Sequence, residues 1–465
     1  MDRYDWVAIL LSIMLMGGAA PDLAAQDASE SLRSGPMVGY GTHREAALWL
    51  QTTRPADVQI RYWSVTDSAA AAGNPAIIFD PDTLLTPSQS TTAAGDHIAQ
   101  FTISDLEPGN TYAYSLFIDG ARVDRPYPLR FQTQPLWQWR TDPATFTVGV
   151  GSCAYINQPQ YDRPGDPYGG DYQIFEHLAA RNPDLMLWMG DNVYYREVDW
   201  AAPNTMAMRY AHTRQTPEMQ PLLGHTHHYA TWDDHDYGPN NANRSYAQKE
   251  AALDIFKRYW ANPTYGRPDV PGVFGQFSWN DVDFFLLDDR YHRAPNRAPQ
   301  DTSKTMWGEA QLDWLIDALT TSRAPFKIVV NGGQVLNPTR RAETLARFPD
   351  DRKRLLNTII EREIEGVLFL SGDRHFTALS RHTPEGFYPL YEFTNSPLTA
   401  GAYNPTDEPN PYRLAETLVP ERNFGLLTFS GPRTDRELTI RVVDKDGNEE
   451  WTRTIRARDL RMPGK

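Results

Sequence analysis

The sequence predicts two units: a small all-β sandwich over residues 36–133 and, over 145–460, an α/β domain of two sheets packed face to face with helices outside. Three observations carry this. Between 36 and 133, short alternating stretches are broken by Pro, Gly, Asp and Asn, the pattern of strands and tight turns. From Thr145 onward, apolar runs of strand length alternate with segments whose apolar residues recur three and four apart, the spacing of one helix face. The tail returns to strands, two of them joined by the Gly-containing turn 444–448.

Residues 1–25 read as a secretory leader: Arg3, an apolar stretch over 7–16, then small residues ending in Leu23-Ala24-Ala25. Asp2 and Asp5 make it less basic than usual, and a buried N-terminal helix is the competing reading. The apolar run is too short to span a bilayer, and no later segment offers a transmembrane candidate. No paired arginine precedes it, which favours the general secretion route over the twin-arginine one. The expected location is periplasmic or secreted. In the β unit, strands are expected at 46–51, 58–63, 98–103 and 112–118. The string from Leu106 to Tyr112 resembles the tyrosine corner of fibronectin type III and immunoglobulin-like sandwiches. Residues 134–143, with Trp137 and Trp139, read as a linker. The α/β domain should then place strands at 146–150, 185–189, 228–232, 282–287, 328–330 and 367–370, and helices at 171–181, 245–260, 308–320 and 350–363. Tail strands follow at 425–430, at 437–443 and from 450.

At 465 residues, 40% of them hydrophobic, the chain can bury a sizeable core. The net charge of −14 argues against nucleic acid as a stable partner and against an anionic membrane surface, since phosphate backbones are bound mainly by Lys and Arg. Cys153 is the only cysteine, so no internal disulfide exists. A free cysteine is usually a small buried hydrophobe. Its place after the strand 146–150, level with the motifs below, points instead to metal ligation as a thiolate.

Four short motifs follow apolar runs, where open α/β sheets build their sites. They are Gly151-Ser152-Cys153, Gly190-Asp191-Asn192-Val193-Tyr194, Trp232-Asp233-Asp234-His235-Asp236 and Gly372-Asp373-Arg374-His375. Asp191 has the chemistry to bridge two cations, and Tyr194 to bring a phenolate to one of them. Three carboxylates around one imidazole repel unless a cation or protons neutralise them, so residues 233–236 point to metal. Here Asp234 would ligate a second ion, and His235 would protonate the leaving oxygen. Asp236 would hold the His235 tautomer by accepting its other ring N–H. Asp233 has no evident role. Asp373 and His375 would face the same crevice, one for each metal. Arg290, with Arg293 nearby, follows the run 284–289 and would clamp phosphoryl oxygens; an ion pair with Asp288 or Asp289 is the competing reading. The run His225-Thr226-His227-His228 precedes its strand and reads as structural.

In this order the motifs resemble the alkaline phosphatase D family of calcineurin-like metallophosphoesterases, and the resemblance spans most of the chain. It implies a two-sheet αββα metallophosphoesterase sandwich behind an N-terminal β-sandwich. The Gly-Asp-x-x-Tyr element also resembles that of purple acid phosphatases, whose Tyr binds ferric iron. Cys153 stands where the superfamily places the His of its first motif, Asp191 where it has the bridging ligand, and Tyr194 as the iron phenolate. Asp234 takes the place of the Asn of Gly-Asn-His, with His235 the catalytic imidazole. Asp373 and His375 fill the final ligand positions, and Gln334 stands near an isolated His ligand. Ser152 replaces the carboxylate of the first motif, and the family's usual twin-arginine signal is missing. The resemblance implies Fe3+ beside Ca2+, with Zn2+ or Mn2+ as alternatives. The expected function is that of an exported monomer hydrolysing small phosphate monoesters or diesters by in-line attack of metal-bound hydroxide, with Arg290 stabilising charge. Two alternatives stay open: a phosphodiesterase acting on lipid head groups or wall polymers, and a degenerate, non-catalytic surface binding protein.

Overall fold

The structure, a computed structural model, describes residues 28–65, 83–301 and 303–464. The expected leader lies outside the described residues. The N-terminal part holds β1 (Leu32–Gly41), β2 (Ala46–Thr52), β3 (Asp57–Val65), β4 (Leu84–Leu85), β5 (Gln89–Ser90), β6 (Ile98–Ile103), β7 (Thr111–Ile118), β8 (Ala121–Val123) and β9 (Arg130–Gln132). They form a three-stranded sheet, β1-β2-β6, and a second sheet, β4-β3-β7-β8, with β5 and β9 paired onto β3 and β7. Alternation is visible in β3, where Val58, Ile60 and Tyr62 point inward and pack on Leu48, Leu50 and Leu116. The Glu107 N–H donates to Tyr112 Oη over 2.9 Å, closing the corner seen in the sequence. The first strand begins at Leu32, ahead of the start expected at 36.

The second part is built from two six-stranded sheets. One runs β12 (His227–Thr231), β11 (Leu185–Met189), β10 (Phe146–Gly151), β19 (Asn423–Ser430), β20 (Glu437–Asp444), β21 (Glu449–Arg456). The other runs β13 (Gly275–Trp279), β14 (Val282–Leu286), β15 (Phe326–Asn331), β16 (Val367–Ser371), β18 (Leu390–Thr394), β17 (Ala378–His382). β10, β11 and β12 are parallel, and so are β14, β15, β16 and β18. Such strands are covered on both faces, which is why Leu185–Met189 and Val367–Ser371 are apolar almost throughout. Period 2 then assigns the faces: Leu185 and Leu187 join Val148, Phe284 and Ile328 in the core between the sheets, whereas Met186 and Trp188 face the outer helices.

Those helices are α1 (Ile174–Ala180), α2 (Pro203–Arg214), α3 (Gln220–His225) and α5 (Lys249–Tyr259) on the first sheet, with the one-turn α4 (Asp234–Tyr237) at the strand ends. α6 (Glu309–Thr321) and α7 (Pro349–Glu361) bury Leu312, Leu315, Leu355 and Ile359 against the second. The face-to-face arrangement of sheets with helices outside is as expected. β13, β17, β18 and α2 were not expected. α2 hides its period because its buried face carries Arg209 and Arg214. Arg209 pairs with Asp199, and Arg214 lies over the Trp260 ring at 3.9 Å.

β1 lies along β12, the outer strand of the first sheet. The Gly41 N–H donates to Tyr229 Oη at 3.0 Å, and His227 Nδ1 is 2.8 Å from Gly39 O. Trp49 Nε1 donates to Arg258 O at 2.8 Å. The histidine run is structural, as expected: the His228 ring accepts from Trp188 Nε1 at 2.9 Å and contacts Leu222 O at 3.2 Å. No helix among the described residues is long and apolar enough to cross a membrane.

Candidate metal centre and active site

The C-terminal ends of β10, β11, β12 and β16 meet at one crevice. Three of them turn sharply: Cys153 after β10, Asp191 after β11, and Asp373 and His375 after β16 have left-handed φ, between 54° and 63°. Non-glycine residues seldom adopt this conformation, and clusters of them mark functional sites. Two glycines let the turns meet. A Cβ on Gly190, itself at φ 94°, would lie 2.7 Å from Asp233 Cβ, and one on Gly372 would lie 2.4 Å from Ser152 Oγ. Both positions need bare backbone.

Cys153, Asp191 and His375 present ligand atoms within 4.8 Å of one another, and Asp191, Asp234 and His235 do the same. Asp191 belongs to both groups. Its Oδ2 is 3.7 Å from Cys153 Sγ, and its Oδ1 accepts the His235 N–H at 3.1 Å. Tyr194 Oη is 3.2 Å from His375 Nε2, while His375 Nδ1 sits 2.6 Å from the Gly401 carbonyl. Donation to that carbonyl assigns the proton to Nδ1 and leaves the Nε2 lone pair facing the cluster. Asp373 belongs to neither group, although its Oδ2 is buried without a hydrogen-bond partner.

Burial sets the electrostatics. It pushes the Asp191 carboxyl well above its usual range, with Asp234 and Cys153 adding to the effect. The Cys153 thiol is pushed up to about 12 and the Asp373 carboxyl to about 6, in each case mainly by burial. For Asp234 burial acts in the same sense, but the charges of His235 and Arg290 outweigh it. The result is a pocket rich in acceptors, in which Asp234 Oδ1 and Asp373 Oδ2 accept no hydrogen bond. Buried acceptors of this kind fit cations, and the thiolate, phenolate, imidazole and carboxylates are all metal-ligand types.

Three sequence expectations need correction. Asp236 does not touch the His235 ring. As the third residue of a one-turn helix it points back at its own N-cap, accepting the Asp233 N–H at 2.7 Å, the Asn192 N–H at 3.1 Å and Asn192 Nδ2 at 2.7 Å. Arg290 offers no free face to a phosphoryl group: it is fully buried and ion-paired with Asp233, with Asp289 at 3.3 Å and with Glu343 at 2.6 Å. The competing ion-pair reading is the one the structure builds, with Asp289 and two further carboxylates. Gln334 joins no ligand group; it donates to Thr394 Oγ1 and accepts from Asn337 Nδ2, both at 2.9 Å. The four motifs of the sequence thus converge, and Asp233 gains a role as the partner of Arg290. Glu343 was missed altogether. It forms a third acidic group with Asp233 and Asp234, yet it lies in a loop with no motif around it. Arg293 binds it from the other side at 2.9 Å.

Together the fold and the donor set define an α/β protein with a candidate metal centre at the C-terminal ends of its strands. A family model described as PhoD-like phosphatase matches residues 148–431, more than half of the chain, and the protein belongs to that family. Residues 29–136 match a domain of unknown function (DUF7800). Among curated proteins, alkaline phosphatase D of Bacillus subtilis (strain 168) is 23% identical over 325 residues, 58% of this chain and 54% of that protein, so the chain spans about half the length of this relative. A solved structure of PhoD superposes with a TM-score of 0.71 at 16% identity, covering 92% of each chain. The purple acid phosphatase PPD1 from yellow lupin (Lupinus luteus) seeds does so with a TM-score of 0.63 at 10% identity, covering 91% of this chain and 75% of that one. At these identities the two structures speak to the fold.

Proposed function

We propose that the protein is an exported, metal-dependent phosphoric ester hydrolase acting on small phosphate esters, monoesters or diesters. The observation that carries this is Asp191, shared between a sulfur-, nitrogen- and oxygen-bearing ligand group and an oxygen-rich one. Iron suits Cys153, Tyr194, His375 and Asp191, and calcium suits Asp191, Asp234 and the nearby Asp373, because hard cations prefer oxygen. Cations bound there would polarise the phosphoryl oxygens and acidify a water molecule. The chain's own residues orient and protonate. His235, with a side chain 24% exposed beside Asp191, gives its ring proton to the departing oxygen. Arg290 is a positioning residue that balances Asp233, Asp289 and Glu343 behind Asp234.

We read residues 1–25 as the leader, 36–133 as a fibronectin- or immunoglobulin-like sandwich and 145–460 as the catalytic domain, acting as a monomer. The Tyr112 corner supports the second of these. The test is the visible spectrum and metal content of purified protein, measured beside its phosphatase activity. Iron with a broad visible band, lost in Tyr194→Phe or Cys153→Ser, is the expected result. A colourless but active zinc or manganese protein refutes the iron assignment alone. A metal-free, inactive protein refutes the hydrolase.

A further inference from the structure

Next to the ligand groups lies a cavity of about 850 Å³, within the range of small-molecule sites. Its floor includes Tyr194 and His235, whose rings stack with centroids 4.3 Å apart. Its walls come from residues 155–168 and 195–200. A phosphoryl group would fill only a small part of this space. The remainder is on the His235 side, where the proton is delivered, so the alcohol half of the ester extends into it.

The wall carries aromatic side chains. Tyr161 and Tyr168 are 40% and 45% exposed, unlike core aromatics. Trp200 also lines the cavity, half-buried against the core beneath it. Among the charged wall residues Asp166 has no ion pair with another described residue, and the others engage one another. Arg196 is held by Asp162 and by backbone carbonyls, and Arg163 faces Glu197 at 3.5 Å. The free charge that remains is the Asp166 carboxylate, which disfavours an anionic alcohol.

We propose that the leaving alcohol carries a ring, either a sugar or a base-bearing sugar, and that Tyr161, Tyr168 and Trp200 set this preference by stacking. The proposal rests on the phosphoesterase reading. In the step it concerns, the bond from phosphorus to the ring-bearing oxygen breaks, a water oxygen forms the new bond to phosphorus, the leaving oxygen takes the His235 proton, and the water proton restores the imidazole. No redox change occurs.

The experiment uses the full, metal-replete chain with three primary alcohols: methyl glucoside 6-phosphate, adenosine 5′-monophosphate and glycerol 3-phosphate, each as the monoester and as the methyl diester. Leaving-group basicity is nearly constant across the set, so differences report the cavity. One or both ring-bearing esters should exceed the glycerol ester by about tenfold or more in kcat/KM, chiefly through KM, as ring stacking on aromatic side chains gives. The better of the two identifies a saturated or a planar ring. Tyr161→Ala and Trp200→Ala should each pull that ratio toward one. Equal efficiency for all three alcohols, or a ratio that survives both substitutions, overturns the ring preference and leaves the hydrolase intact. Turnover of none of them overturns the hydrolase reading, and the ring preference with it.

Discussion

Asp236 and His235 are neighbours in sequence that serve different structures. The Asp236 carboxylate holds backbone donors from two motifs, including the Asp191 N–H at 3.3 Å, whereas the His235 ring lies open to the cavity. Their substitutions should therefore separate. His235→Ala should lower kcat for alkyl esters by about 10²–10⁴, the usual worth of a positioned proton donor, with metal content unchanged. Parallel loss of metal would assign His235 to the ligand set instead. Asp236→Ala orphans several buried donors at about 1–3 kcal/mol each, so the urea midpoint should fall clearly. If it stays put and only the acidic or basic limb of the pH–rate profile moves, the capping role is wrong and the tautomer role returns.

At the level of elements, what could be read from the sequence was whatever is local. Most parallel strands announced themselves as apolar runs because both faces are covered, although β18, with Glu392 at its centre, did not; the candidate ligand motifs were visible because each follows such a run. Contacts between distant segments left no trace: Glu343 faces Arg290 across a gap of 53 positions, and Arg214 of α2 lies over the Trp260 ring, 46 positions on. Asp236 was misassigned because a capping box and a tautomer clamp look identical in four letters. β12 carries a further consequence. His228 accepts the Trp188 indole N–H, so its ring is held neutral, and burial lowers its pKa from the ordinary 6.5 to about 3. The unfolded chain binds this proton first as the pH falls. The stabilisation is complete above about pH 6.5 and is lost progressively below it, reaching about 2 kcal/mol by pH 5. Urea midpoints measured from pH 7 to 5 should fall more steeply for the wild type than for His228→Asn. Equal slopes would show that the ring takes up its proton inside the folded protein.

For the molecule as a whole, the N-terminal unit packs against the part that carries the candidate site, because β1 lies along the outer strand that leads into residues 233–236. Unpaired sheet edges invite association with other chains; here the Ala230 N–H and carbonyl on the β12 edge are paired with the Asn262 side chain, and β1 packs on the His227 and Tyr229 side chains beside it. The other side of the same sheet closes much later. β10, which ends at the Cys153 turn, lies between β11 and β19, and its pairing of Phe146 with Phe429 spans more than half of the chain. During synthesis, therefore, the strand beneath Cys153 has one neighbour for as long as the ribosome is still adding the segments that carry His235, Arg290 and His375. Nascent chains arrested before Asn423 should remain open to protease over 146–230, whereas released chains should resist it. The candidate ligand set is a property of the finished polypeptide, and a cation reaching a half-made chain would find Cys153 and Asp191 on a sheet that still lacks three of its six strands.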